Sequence, residues 1–150
     1  MRATRRLAIA ACVLALLGGR AQAAQLGTAE QARALLLRAV AAIKADERAA
    51  LADFNRADGG FRQGDLYVFC ATTTGTVDAH VDPAQIGRKL QDLFDVDGVA
   101  FGQEMMALAR PGEITAVAYM WPRPDSRTPA EKVSFVTRVA DQVCGVGYYK

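Results

Sequence analysis

The chain has one histidine in 150 residues, and that scarcity removes whole classes of function. With His80 alone, no two-histidine metal site can form, and no Ser-His-Asp spacing of a nucleophilic enzyme is present. No apolar run approaches the roughly 20 residues a membrane helix needs; the longest, Leu7 to Leu17, reads as the core of a secretory signal peptide. Arg2, Arg5 and Arg6 precede it as the charged region, and Ala21-Gln22-Ala23 places small residues where a signal peptidase reads. Residues 1–23 are therefore expected to be a leader and 24–150 a single exported domain, periplasmic or secreted, with room for one core. Four of the eighteen basic residues fall in the leader, which leaves fourteen against sixteen acidic ones, about −2 overall. No basic patch remains to follow a nucleic-acid backbone. There are no internal repeats and no low-complexity tracts.

Of three cysteines, Cys12 lies in the leader, so the exported domain keeps Cys70 and Cys144. An even number in an oxidising compartment invites a disulfide, with two buried thiols as the alternative.

What is present reads as an α+β fold. Thr28-Ala-Glu-Gln31 is a capping box. Behind it Ala32, Leu36, Val40, Ile43, Ala50, Leu51 and Phe54 recur at helical spacing, which predicts one long helix to about Asn55, with Arg33, Arg38, Lys44, Asp46 and Arg48 on its other side. Asp58-Gly59-Gly60 ends it. Such a helix must lie along something, most simply a sheet. Leu66 to Ala71 predicts a strand, Thr72 to Gly75 a turn, Thr76 to His80 a second strand, and Asp82-Pro83 a capped helical turn. Val99 to Ala109 predicts a second helix with Phe101, Met105 and Leu108 on one side. Glu113–Trp121, Lys132–Val139 and Gln142–Tyr149 complete a sheet of about five strands, with Pro122 to Pro129 as an exposed loop. Gly145 and Gly147 are expected to admit another backbone at close range.

Candidate sites are few. Asp95-x-Asp97-Gly98 with Glu104 resembles the later part of an EF-hand loop, but its first ligand position is Leu93, so an acidic turn before a helix is the better reading. His80 reads as structural, a hydrogen-bond donor to neighbouring backbone, or as a ligand contact. Tyr67 and Phe69 share one strand face, as do Tyr119 and Trp121, and together they suit either a core or an apolar pocket with polar tips. Lys132 starts a strand; it is a carboxylate partner if it points inward and a solvated lysine if outward.

Taken in order, the capped N-terminal helix, Tyr67-Val-Phe69 with Gly75 and Ala79-His80, Ile86-Gly87-Arg-Lys-Leu90, Asp95-x-Asp97-Gly98, Tyr119-Met-Trp121-Pro122-x-Pro124, Lys132-Val-Ser-Phe-Val136 and Gly145-Val-Gly147-Tyr-Tyr resemble the Cache domain family, in particular its single-Cache members. The resemblance covers about Thr28 to Lys150. It implies an extracytoplasmic PAS-like fold, a long helix on a central antiparallel sheet, and a pocket on the other face for a small organic ligand, often a short carboxylate. It implies that the first and fifth strands are central neighbours, which would pair Cys70 with Cys144. It places Tyr67, Phe69, His80, Met105, Tyr119, Trp121 and Lys132 around the ligand, with Lys132 meeting its charge. No cofactor or enzymatic activity is implied. The sequence stops after the fifth strand without an output module, so a stand-alone sensory module acting through a membrane sensor or receptor partner is expected. The rival is an interaction protein on the same fold; the family's helix also suits homodimerisation.

Overall fold

The computed structural model describes residues 26–150; the expected leader and Cys12 lie outside the described residues. Three helices and six strands follow in the order α1 (Ala29–Ala45), α2 (Glu47–Phe54), β1 (Arg62–Gln63), β2 (Leu66–Thr72), β3 (Val77–Ala79), α3 (Phe101–Leu108), β4 (Thr115–Pro122), β5 (Pro129–Val139) and β6 (Gln142–Tyr149). Short 3-10 turns at Pro83–Gln85 and Leu90–Asp92 lie between β3 and α3.

The capping box forms as the sequence implies. Thr28 Oγ1 accepts the Gln31 N–H at 3.2 Å, and Gln31 Oε1 accepts the Thr28 N–H at 2.9 Å. The single long helix does not form. Asp46, expected on its solvated face, leaves the helical region at φ −160° and ψ 100°. Its N–H still bonds to Ala42, ending α1, while its carboxylate accepts the Ala49 N–H at 2.9 Å and starts α2. A short carboxylate that competes for backbone donors is the cause: Asp caps helices better than it continues them.

The sheet runs β1-β2-β6-β5-β4, with β3 paired to β2, and every pairing between strands is antiparallel. The expected five strands are there; β1 is a two-residue addition too short to carry a periodic signal. The Pro122 to Pro129 loop shrinks to six residues, because both prolines are paired at the loop end of the β4–β5 hairpin. β2 and β6 are central neighbours, with Cys70 opposite Cys144 and joined to it by a disulfide.

β2 is buried on both faces. Leu66, Val68 and Cys70 join Val146 and Cys144 beneath Leu35, Leu36, Ala39, Ile43 and Phe54 of the two helices. Tyr67, Phe69 and Ala71 point the other way, into a second core with Leu90, Leu93, Phe101, Met105, Val117 and Tyr119. On β5, Lys132, Ser134 and Val136 share one face and are buried on the side of the second core, so of the two readings of Lys132 the inward one holds. Gly145 and Gly147 make room for side chains, not for another backbone alone. A β-carbon at Gly147 would collide with Lys132 and with Ser134 Oγ, and one at Gly145 with the Phe69 ring and the Phe135 carbonyl.

The disulfide closes a loop with a sequence separation of 74 residues. Replacing both cysteines with serine is expected to lower unfolding free energy by about 4 kcal/mol, read from denaturant melts with and without the bridge.

Candidate functional site

The second core contains a cavity of about 20 Å³, the space of about one water. Four places supply its aromatic rings and Met105. β2 supplies Tyr67 and Phe69, β4 supplies Tyr119 and Trp121, α3 supplies Phe101 and Met105, and the segment after β3 supplies His80. Phe101 stacks on Tyr119 with ring centroids 4.1 Å apart and planes 9° from parallel. Gly102 allows this placement of α3: a β-carbon there would strike the Leu90 carbonyl. Four residues, Tyr67, His80, Gln85 and Trp121, also border an outer groove of about 400 Å³, whose far wall is Pro122, Arg123, Pro124, Ser126 and Arg127.

Six of the seven residues expected around a ligand thus line one cavity. The seventh, Lys132, is 1% exposed and reaches the cavity wall through Tyr67, without lining the cavity itself. Its Nζ donates to Tyr67 Oη at 2.7 Å and lies 4.1 Å from the Tyr67 ring centroid and 5.0 Å from that of Tyr149. No ion pair among the described residues includes it. Asp65 exerts a raising influence, but its carboxylate is held by Arg123 at 3.3 Å and by the Gly27 N–H at 2.8 Å. Burial therefore dominates and brings the Lys132 ammonium down to about 7.

His80 follows β3 directly, where it was expected at a strand end. It does not donate to backbone: its Nδ1 accepts the Asp82 N–H at 2.9 Å. The neutral ring therefore carries its proton on Nε2. Burial first, and the Lys132 charge second, lower its pKa to about 4. The ring packs edge-on to Tyr67 at 5.1 Å. Asn55, the C-cap of α2, fixes this segment by accepting the His80 N–H at 3.0 Å and donating to the Asp78 carbonyl at 2.8 Å.

Burial also raises the tyrosines. Tyr149 is pushed up to about 12, and Tyr67 and Tyr119 are also raised. All three are neutral hydroxyls: Tyr119 pairs with Ser134 Oγ at 2.9 Å, and Tyr149 donates to the Pro122 carbonyl at 2.7 Å. Among the described residues no carboxylate lines the inner cavity. The walls offer aromatic faces and neutral donors, with one unpaired cation behind them.

The acidic turn is structural. Asp95 Oδ1 accepts the Asp97 and Val99 N–H groups at 2.9 and 2.8 Å, and Oδ2 accepts the Met120 N–H at 2.9 Å. Those bonds tie the start of α3 to the edge strand β4 and so hold Phe101 against Tyr119. Sequence reasoning placed Phe101 on the same helix side as Met105 but did not assign it to the pocket. Leu90, Leu93 and Gln85 were missed as well, since they sit on turns with no periodicity to reveal a face, and Val77 on the three-residue β3 was not assigned to the pocket either.

An antiparallel sheet with helices on one face and an aromatic cavity under a short helix on the other is the architecture of a PAS-like sensor domain. The chain belongs to the single Cache domain family, matching single Cache domain 2 over residues 11–149, a span that begins inside the expected leader. Solved structures agree. A methyl-accepting chemotaxis protein from Vibrio parahaemolyticus RIMD 2210633 has a TM-score of 0.66 at 23% identity, over 80% of this chain and 86% of that one. The periplasmic sensor domain of a chemotaxis protein has a TM-score of 0.60 at 29% identity, over 80% and 88%. A Cache chemosensory domain described for carboxylic acid recognition has a TM-score of 0.61 at 23% identity, over 80% and 86%. Comparison with curated protein sequences gives no significant match.

Two pH effects follow from these groups. Lys132 binds fewer protons folded than unfolded between about 7 and its ordinary 10.5, so its contribution to stability is full above that window and is lost as pH falls through it. Lys132→Met should stabilise the ligand-free protein at pH 7 by about 2–4 kcal/mol and flatten the rise in stability between pH 7 and pH 10, as measured by denaturant melts. His80 binds fewer protons folded than unfolded between 6.5 and about 4, so stability is lost as pH falls through that range. His80→Asn should remove up to about 3 kcal/mol of this acid sensitivity, seen as a smaller drop in melting temperature from pH 7 to pH 4.

Proposed function

We propose that this chain is an extracytoplasmic sensory module that binds a short aliphatic carboxylate between α3 and the sheet and passes its occupancy to a signalling partner. The observation that carries this reading is Lys132, a buried amine with no carboxylate partner among the described residues, set behind the Tyr67 hydroxyl at the wall of an aromatic cavity. A buried charge is retained against its desolvation cost where something needs it. A carboxylate would supply the missing counter-charge, with the Tyr67 hydroxyl and His80 Nε2–H as further neutral donors and Phe101, Met105 and Trp121 around its carbon chain. A cavity of this size must widen even for a chain of two or three carbons, which disfavours longer ones. The absence of a lining carboxylate among the described residues disfavours amino acids, whose ammonium would lack a partner. That a similarly folded Cache domain is one described for carboxylic acid recognition agrees with this choice. The leader expected over residues 1–23 and the Cys70–Cys144 bridge both suit an oxidising, extracytoplasmic compartment. Among the described residues no helix is long and apolar enough to cross a membrane.

One observation favours a second reading. A cavity the size of one water is nearly filled, as it would be in an interaction module using the same fold without a ligand. In that case α1, which leaves Leu37 exposed, is the surface for a second copy or another protein. A ligand screen separates the two. At one hundred times its dissociation constant, a short carboxylate should add about 2.7 kcal/mol to stability and raise the melting temperature by several degrees. Lys132→Met should abolish that shift while remaining folded. A flat screen of short carboxylates, with dimer formation in solution, selects the interaction module.

A further inference from the structure

Lys132 has three hydrogen-bond donors when charged, and the structure gives it one acceptor, the Tyr67 hydroxyl at 2.7 Å. Two ring faces, Tyr67 and Tyr149, offset part of that deficit. The neighbouring elements add no anion in contact. β2 presents Tyr67, β6 presents Tyr149, and β4 presents Tyr119 through Ser134, all neutral hydroxyls. The segment after β3 presents His80, whose ring is neutral near pH 7. Asp65, ahead of β2, is the one acidic group acting on the amine, and Arg123 already holds it. A neutral amine fits this empty site better than an ammonium, because its lone pair can accept the Tyr67 hydroxyl. A carboxylate in the cavity reverses the preference, since an anion beside the amine favours the charged form.

We propose that ligand binding here is proton-coupled: the carboxylate enters as the anion, Lys132 Nζ takes one proton from solvent as it does so, and occupancy reports carboxylate and proton activity together. This rests on the carboxylate reading above and extends it to regulation. In net composition the pocket takes up the uncharged acid, so no net charge is buried. Burial brings the empty-site amine to about 7, which puts the coupling within ordinary extracellular pH. Affinity is then flat at acid pH and falls about tenfold per pH unit above neutrality, until the liganded amine itself deprotonates.

The test is calorimetric titration of the purified protein with sodium propionate at pH 6, 7, 8 and 9, in buffers of low and high ionisation enthalpy. The dependence of heat on buffer counts the protons exchanged. About 0.1 proton taken up at pH 6 and about 0.9 at pH 8, with weakening affinity above pH 7, is the expected result. Binding with no proton uptake at any of these pH values overturns the coupling and leaves the carboxylate reading standing. No binding at any pH overturns both. A measurement on the unaltered protein guards against a variant that fails to fold: carbon-13 chemical shifts of the lysine side chains should show one lysine titrating near neutrality without propionate and well above it with propionate. A set of lysines that all titrate above pH 10 in the free protein overturns the coupling independently.

Discussion

The central pairing of β2 with β6 is the constraint on which the rest depends. Both strands are buried on both faces, so each consecutive side chain is committed to one of two cores. One residue of slippage in that register would send Tyr67 and Phe69 under the helices and Leu66 and Val68 into the pocket. The Cys70–Cys144 bridge, on a directly opposed pair, fixes that register covalently. The disulfide therefore does more than close a long loop: it holds the parity that decides which residues form the site.

That parity leads to Lys132. On β5, Lys132 and Ser134 face the same side as Val136, and β6 meets them with Gly147, whose missing side chain leaves space for the lysine. A long cationic side chain is laid across a glycine, beneath two tyrosine rings and away from solvent. Such an arrangement costs stability in the empty protein. A fold selected for stability alone would hold an apolar residue there, and this one keeps the charge where it meets the wall of a cavity.

Much of this was legible before the structure. The i, i+2 spacing of Tyr67 with Phe69 and of Tyr119 with Trp121 placed each pair on one face, and the structure brings both pairs to the same cavity. What could not be read is what depends on a partner strand or on a single backbone choice. Lys132 read equally as inward or outward, because β5 mixes apolar and polar residues on both faces and only burial against Tyr67 of β2 and Tyr149 of β6 separates them. The helix break at Asp46 was hidden because a charged residue on a solvated helix face looks the same as an N-cap until its backbone turns. The pocket roles of Leu90, Leu93 and Gln85 lie on non-periodic turns, held by backbone bonds such as that from the Leu90 N–H to the distant Gly75 carbonyl, which no local periodicity reveals.

The pocket and the N-terminal helices are also joined mechanically. Asn55 closes α2 and clamps the backbone on both sides of Ala79, so the residue that ends the helix also positions His80 at the cavity wall. A shift of His80 on ligand binding has a direct hydrogen-bonded path to α2. The most direct test of the central claim is a crystal structure of the protein grown with propionate. The account predicts a carboxylate oxygen about 3 Å from Lys132 Nζ, with the Phe101 and Trp121 rings displaced to enlarge the cavity. A closed cavity, or propionate seated only at Arg127 in the outer groove, would contradict it.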